Sequence, residues 1–213
     1  MDLDPTEVRV LGCLIEKQRT TPDAYPLSLN ALRLACNQST NRDPVVAYDE
    51  EIIRGALHHL GRRRYTRLTT GHTSRTAKYR HLLDETLEID AAEQAVLAVL
   101  MLRGPQTPGE LKQRTERMQP FSGIDELQEV LTRLIDRELV AQLARRPGQK
   151  EERFQHRLSD DLDEADVPAG AFAAPAAVVV PPPPRRDDRL DKLEREVAEL
   201  REELAALRAE LGA

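Results

Sequence analysis

Between Ile52 and Leu83 the chain carries no acidic residue, yet Arg54, Arg62, Arg63, Arg64, Arg67, Arg75, Lys78 and Arg80 all fall in that stretch. Guanidinium and ammonium groups at this density suit the neutralisation of phosphate oxygens. Arg54, His58 and Arg62 follow one another at four-residue steps, so they share one side of a helix, with Arg63 beside them. Arg67, Arg75, Lys78 and Arg80 flank the glycine-containing "TTGHTS", as on the two arms of a hairpin. Upstream, "NQSTNR" adds Asn37, Gln38, Asn41 and Arg42, short polar groups able to bond backbone or base edges. A solvated basic face with no ligand is the competing reading.

Other chemistry finds little support. The histidines are His58, His59, His72, His81 and His156, and none belongs to HExxH or to a Cys/His spacing that suits zinc. Cys13 and Cys36 stand singly in helix-like segments and read as buried, reduced thiols. No phosphate-binding glycine loop or GxSxG elbow occurs. No catalytic residue, metal site or cofactor is therefore expected.

The net charge of -6 is unevenly distributed. Acids and bases number 13 and 13 in residues 1–90, 10 and 11 in 91–158, and 14 and 7 in 159–213. The acidic excess belongs to the tail, so a basic surface near the front is compatible with a pI of about 5.5. No apolar run approaches the ~20 residues of a membrane-spanning helix. The acidic start "MDLDPTEVRV" is unlike a secretion signal, so cytoplasmic residence is the expectation.

The elements that must position these residues come as a repeat. "VLGCLIEKQRTTPDAYPLSLNAL" (10–32) pairs with "VLAVLMLRGPQTPGELKQRTERM" (96–118). "EEIIRGALHHLGRRRYTRL" (50–68) pairs with "DELQEVLTRLIDRELVAQL" (125–143), and "KYRHLL" with "RFQHRL". Leu11, Leu14, Ile15 and Gln18 step along a helical face, as do Ile53, Ala56, Leu57 and Leu60. Asp49-Glu50-Glu51 and Asp125-Glu126 mark helix starts. After each third helix the apolar period shortens to two, which predicts strands. The order helix–helix–helix–strand–turn–strand, written twice, predicts a mainly α fold with small β-hairpins, that is, two tandem winged-helix domains at 1–88 and 89–160. The first copy carries the extra stretch "ACNQSTNRDPVV".

Residues 161–188 include "VPAGAFAAPAAVVVPPPPRR", whose prolines preclude a helix and read as a linker. In residues 189–213, Leu190, Val197, Leu204 and Leu211 fall at heptad position a, and Leu193, Leu200 and Leu207 at d. Glu196 and Glu203 then occupy g, with Arg201 and Arg208 at the following e positions. Opposite charges meet across a parallel pair, so the tail predicts a parallel coiled-coil homodimer.

Together the segments "LGCLIEKQRTTPDAYPLSLNAL", "ACNQSTNRDPV", "AKYRH", "LRGPQTPGELKQR" and "RRPGQKEERFQH" resemble the YceH-like family of bacterial proteins of unknown function. The resemblance covers roughly residues 5–158, leaves the linker and zipper outside, and implies a tandem winged-helix pair. It supplies no ligand or site residues.

Two functions are expected from this organisation. In one, the third helix and hairpin of the first domain grip double-stranded DNA, as winged helices do in transcription regulators. The second domain is poorly suited to bases: its helix carries Glu126, Glu129, Arg133 and Asp136, and its cations Arg145, Arg146, Lys150 and Arg153 sit at the hairpin. In the other, the chain docks a protein partner, by analogy with condensin accessory subunits, and "CNQSTNRDP" packs the two domains together.

Overall fold

A computed structural model of the chain describes residues 2–69, 76–144 and 151–159. The fold is mixed α+β. Its helices are α1 (Pro5–Thr20), α2 (Leu29–Cys36), α3 (Glu50–Arg62), α4 (Leu83–Leu87), α5 (Ala91–Arg103), α6 (Pro108–Thr115) and α7 (Ile124–Asp136). Its strands are β1 (Leu27–Ser28), β2 (Thr66–Thr69), β3 (Lys78–His81), β4 (Val140–Leu143) and β5 (Arg153–His156). Among the described residues, no helix is long and apolar enough to cross a membrane. The proline-rich linker and the leucine heptads lie outside the described residues.

Local chemistry explains where the helices begin. Asp4 and Asp90 cap α1 and α5, and each closes a capping box with the glutamate three residues on, Glu7 or Glu93. Ser28 caps α2, and Thr107 with Glu110 caps α6. Asp49 caps α3 through the Ile52 amide at 2.9 Å, as its sequence position predicts. The start of α7 differs from expectation. Its N-cap is Gly123, Asp125 lies inside the first turn, and Glu126 reaches back to accept from the Ser122 amide and hydroxyl.

The helix–helix–helix–hairpin order occurs twice. The first three-stranded sheet has the order β1-β3-β2, all antiparallel. The second pairs β4 with β5, and a single bridge between Gln106 and Phe154 stands where β1 stands in the first. The third helices match one residue away from the register read in the sequence. Buried Ile53, Ala56, Leu57 and Leu60 of α3 correspond to Leu127, Val130, Leu131 and Leu134 of α7. His59 therefore occupies the place of Arg133, and Arg63 that of Arg137.

The first helix of each copy is central, not amphipathic as the sequence spacing suggested. Every residue from Glu7 to Ile15 in α1, and from Glu93 to Leu102 in α5, is buried. A helix enclosed on all sides needs neighbours on all sides, and here α1 and α5 cover each other. Gly12 permits the close approach: a Cβ there would lie 3.0 Å from Leu102 Cγ and 3.1 Å from Met101 Cβ. One continuous core results, running from Leu11 and Leu14 through Leu57 to Leu97, Leu100 and Leu131.

The extra stretch of the first copy is a strap over this junction. The Asp43 amide donates to the Leu102 carbonyl at 2.8 Å, satisfying an end carbonyl of α5. Arg9, buried in α1, donates to the Pro44 carbonyl at 2.7 Å. Asn37 clamps Tyr48 by two bonds, Nδ2 to its carbonyl at 2.7 Å and its amide to Oδ1 at 2.9 Å.

Candidate nucleic-acid interface

The outward face of α3 is built by its inward one. Because Ile53, Ala56, Leu57 and Leu60 are buried, Arg54, His58 and Arg62 are left exposed on the opposite side. Among the described residues, Arg62 makes no ion pair, and Arg54 reaches only Glu50, at 3.9 Å between exposed groups. The hairpin extends the surface. In the β2–β3 register Arg67 faces Arg80 and Thr69 faces Lys78, so these four share one side of the sheet. Like charges set directly opposite destabilise a hairpin. Arg80 is relieved by Glu85, 2.7 Å from its guanidinium, whereas Arg67 and Lys78 make no ion pair among the described residues.

Several sequence-chosen residues are withdrawn from this surface. Arg42 is buried, with both terminal nitrogens on Glu16 at 2.6 and 3.1 Å. Its remaining donors reach Ala35 and Asn41 carbonyls and the Gln38 side chain, so no capacity remains for phosphate. Asn41 is exposed, but its side-chain oxygen accepts from Arg103 of α5. Asn41 and Arg42, expected as nucleic-acid contacts, here serve to hold the strap. Arg63 donates to the Asp2 carbonyl and turns toward the start of α1. Arg80 is half-buried and paired, as noted. Arg75, Arg145, Arg146 and Lys150 lie outside the described residues.

In the second copy the corresponding helix is neutralised from within. Arg133 sits 3.0 Å from Asp90 and 3.3 Å from Glu93, and Arg137 lies 3.5 Å from Glu93. Glu126 is engaged by Ser122, which holds its carboxyl below the usual carboxylate range. No cationic face comparable to that of α3 remains on α7.

The histidines His81 and His156 play one structural role, as their matching positions suggest. Each Nδ1 accepts a backbone N–H two residues on, from Leu83 or Leu158, at 3.3 Å. Burial pushes both imidazoles down to about 4, so both are neutral acceptors at pH 7. The cysteines are free and buried. They also touch, which one-dimensional spacing does not reveal: Cys36 is pushed up by its hydrogen bond to Cys13 and by burial.

One group among the described residues brings potential metal ligands together, Asp4, Glu7 and His59, with ligand atoms within 4.8 Å of one another. Its pattern is not visible in one dimension, because His59 arrives from α3. One oxygen of each carboxylate already serves the capping box, and Glu7 Oε1 faces His59 Nδ1 at 3.5 Å.

A second feature missed in the sequence is a cleft of about 270 Å³ between the copies. Lys17, Arg103, Arg114 and Arg117 line it together with Glu16, Thr20, Gln38 and Thr40. It joins Glu16 and Lys17 of the first copy to Arg114 and Arg117 of the second.

Comparison with known proteins gives a family and no activity. A family described as "Protein of unknown function, DUF480" matches residues 3–149. A UPF0502 protein of Pelobacter propionicus is 47% identical over 210 residues, covering 98% of this chain and 94% of the relative. A UPF0502 protein of Serratia proteamaculans is 44% identical over 213 residues, with 97% and 95% covered. The UPF0502 protein YceH of Salmonella newport is 41% identical over 218 residues, with 99% and 98% covered. These alignments run into the linker and heptad tail, so the shared region extends beyond the limit near residue 158 drawn from motifs alone. The chain belongs to the DUF480 family, together with the UPF0502 (YceH) proteins.

Proposed function

We propose that this is a non-enzymatic, cytoplasmic tandem winged-helix protein that contacts double-stranded DNA as a dimer, in the manner of a transcription regulator. One observation carries the reading. The cations of the first copy's third helix and hairpin, exposed Arg54, Arg62 and Arg67 with half-buried Lys78, have little or no carboxylate compensation among the described residues. The positions that match Arg54, Arg62 and Arg67 in the second copy hold Gln128, Asp136 and Ala141. In winged-helix recognition the third helix enters the major groove and the hairpin meets adjacent phosphates. Asp49, Glu50 and exposed Glu51 at the start of α3 would oppose phosphate. Asp49 is occupied as the cap and Glu50 lies near Arg54, which makes the second half of α3 the approach side. The parallel heptad pairing predicted for residues 189–213 would present two such surfaces to a two-fold site.

The test is a mobility shift with random duplex. Arg62→Glu, Arg67→Glu and Lys78→Glu combined should abolish the shift while far-UV circular dichroism stays unchanged; an unaltered shift would reject this surface. Removal of residues 189–213 should halve the mass seen by light scattering.

Protein docking is the second reading, favoured by exposed apolar side chains on the first copy: Leu34 (57% exposed), Val45 (58%), Ile52 (43%) and Leu68 (53%). It forecasts no duplex affinity even at low salt.

A further inference from the structure

We infer that the cleft between the two copies binds a small phosphate-bearing anion. The charge within it is unbalanced. Lys17 and Thr20 come from α1, Thr40 and Asn41 from the strap, Arg103 from the end of α5, and Arg114 and Arg117 from the end of α6 and the turn after it. The single carboxylate lining the cleft, Glu16, is already held by buried Arg42 at 2.6 Å and by Lys17 at 3.2 Å. Arg117 makes no ion pair among the described residues. Arg114 reaches Glu110 at 3.5 Å, but that carboxylate is shared with Arg153 at 3.1 Å.

Like charges thus line one cleft, in which Arg103 also donates to the Asn41 side-chain oxygen. Arg103 is held below the usual guanidinium range by burial and then by the charge of Arg114. Converging guanidinium groups are suited to a tetrahedral dianion, which accepts paired N–H bonds on several sides. The volume is just below the roughly 300–1,000 Å³ of drug-sized sites, so the ligand is small. Because both copies contribute, its binding would stabilise their junction. This inference is independent of the DNA reading.

Titration calorimetry on the full-length protein with inorganic phosphate, at ionic strength matched with chloride, tests it. One site per chain is expected, with a phosphate-dependent rise in Tm. Arg114→Gln and Arg117→Gln should each weaken phosphate about tenfold, the usual loss for one charge-assisted bond, and Arg62→Gln should leave it unchanged. Arg117 is exposed and unpaired, so its replacement keeps the fold. No binding beyond the chloride control, or equal affinity in the Arg114→Gln/Arg117→Gln pair, would overturn the inference. So would duplex affinity that falls with those two substitutions, which would assign the cleft to a DNA backbone instead.

Discussion

The two copies open their first helix with the same pair of carboxylates and answer that pair differently. In the second copy Asp90 and Glu93 are met by Arg133, and Glu93 also by Arg137. In the first, among the described residues, Glu7 is met by His59, which also lies near Asp4, with Arg63 turned to the Asp2 carbonyl. The second copy thus spends its third-helix cations on its own frame. The first leaves Arg54, Arg62 and Arg67 to solvent and is held to its neighbour by the strap, which Arg42 ties to α1 through Glu16. The two copies share one scaffold, and the placement of a few arginines decides which of their carboxylates are paired.

The largest expected effect comes from breaking the anchor that only the first copy has. Arg42→Ala leaves Glu16 without its guanidinium in a mostly buried site, and removal of one partner of such a pair costs about 3–5 kcal/mol. The urea midpoint should fall accordingly. Arg133→Ala, its nearest analogue in the second copy, involves a side chain 47% exposed. It should cost only about 1 kcal/mol, because solvent screens the pair.

The matched histidines sharpen the comparison through pH. Their folded-state values of about 4 lie below the ordinary 6.5. The unfolded chain therefore binds the extra protons, and the stability each histidine contributes is complete above pH 6.5 and lost as pH falls toward 4. The loss should be on the order of 3 kcal/mol per histidine. His156→Asn should flatten that part of the stability–pH curve; an unchanged slope would contradict the burial account.

A smaller effect is expected at the junction of α1 and α5. Gly12→Ala gains helix propensity but drives a methyl into Leu102 and Met101, for a net loss of about 1–2 kcal/mol in thermal or urea unfolding. Smallest of all, His59→Arg would give the first copy the second copy's arrangement. It should stabilise by about 0.5–1 kcal/mol through Glu7 and Asp4; a loss of stability would show that the two copies are not equivalent there.

Much of this frame was legible in the sequence because periodicity and caps are local. The helix order, Asp49 as a cap, and the paired role of His81 and His156 all follow from neighbouring residues. What failed depended on tertiary placement. Arg42 read as a free cation because its partner, Glu16, lies 26 positions away. The central burial of α1 was hidden because its outward-looking face is covered by α5. The cleft has no signature in one dimension, since its arginines and its lysine come from opposite copies.

The most direct test of the basic surface is a salt series of duplex binding by the full-length protein. About four phosphate contacts from the first copy predict a log–log slope near -4, falling toward zero in the Arg62→Glu/Arg67→Glu/Lys78→Glu variant. No binding at low salt, or the same slope in both proteins, would contradict the account.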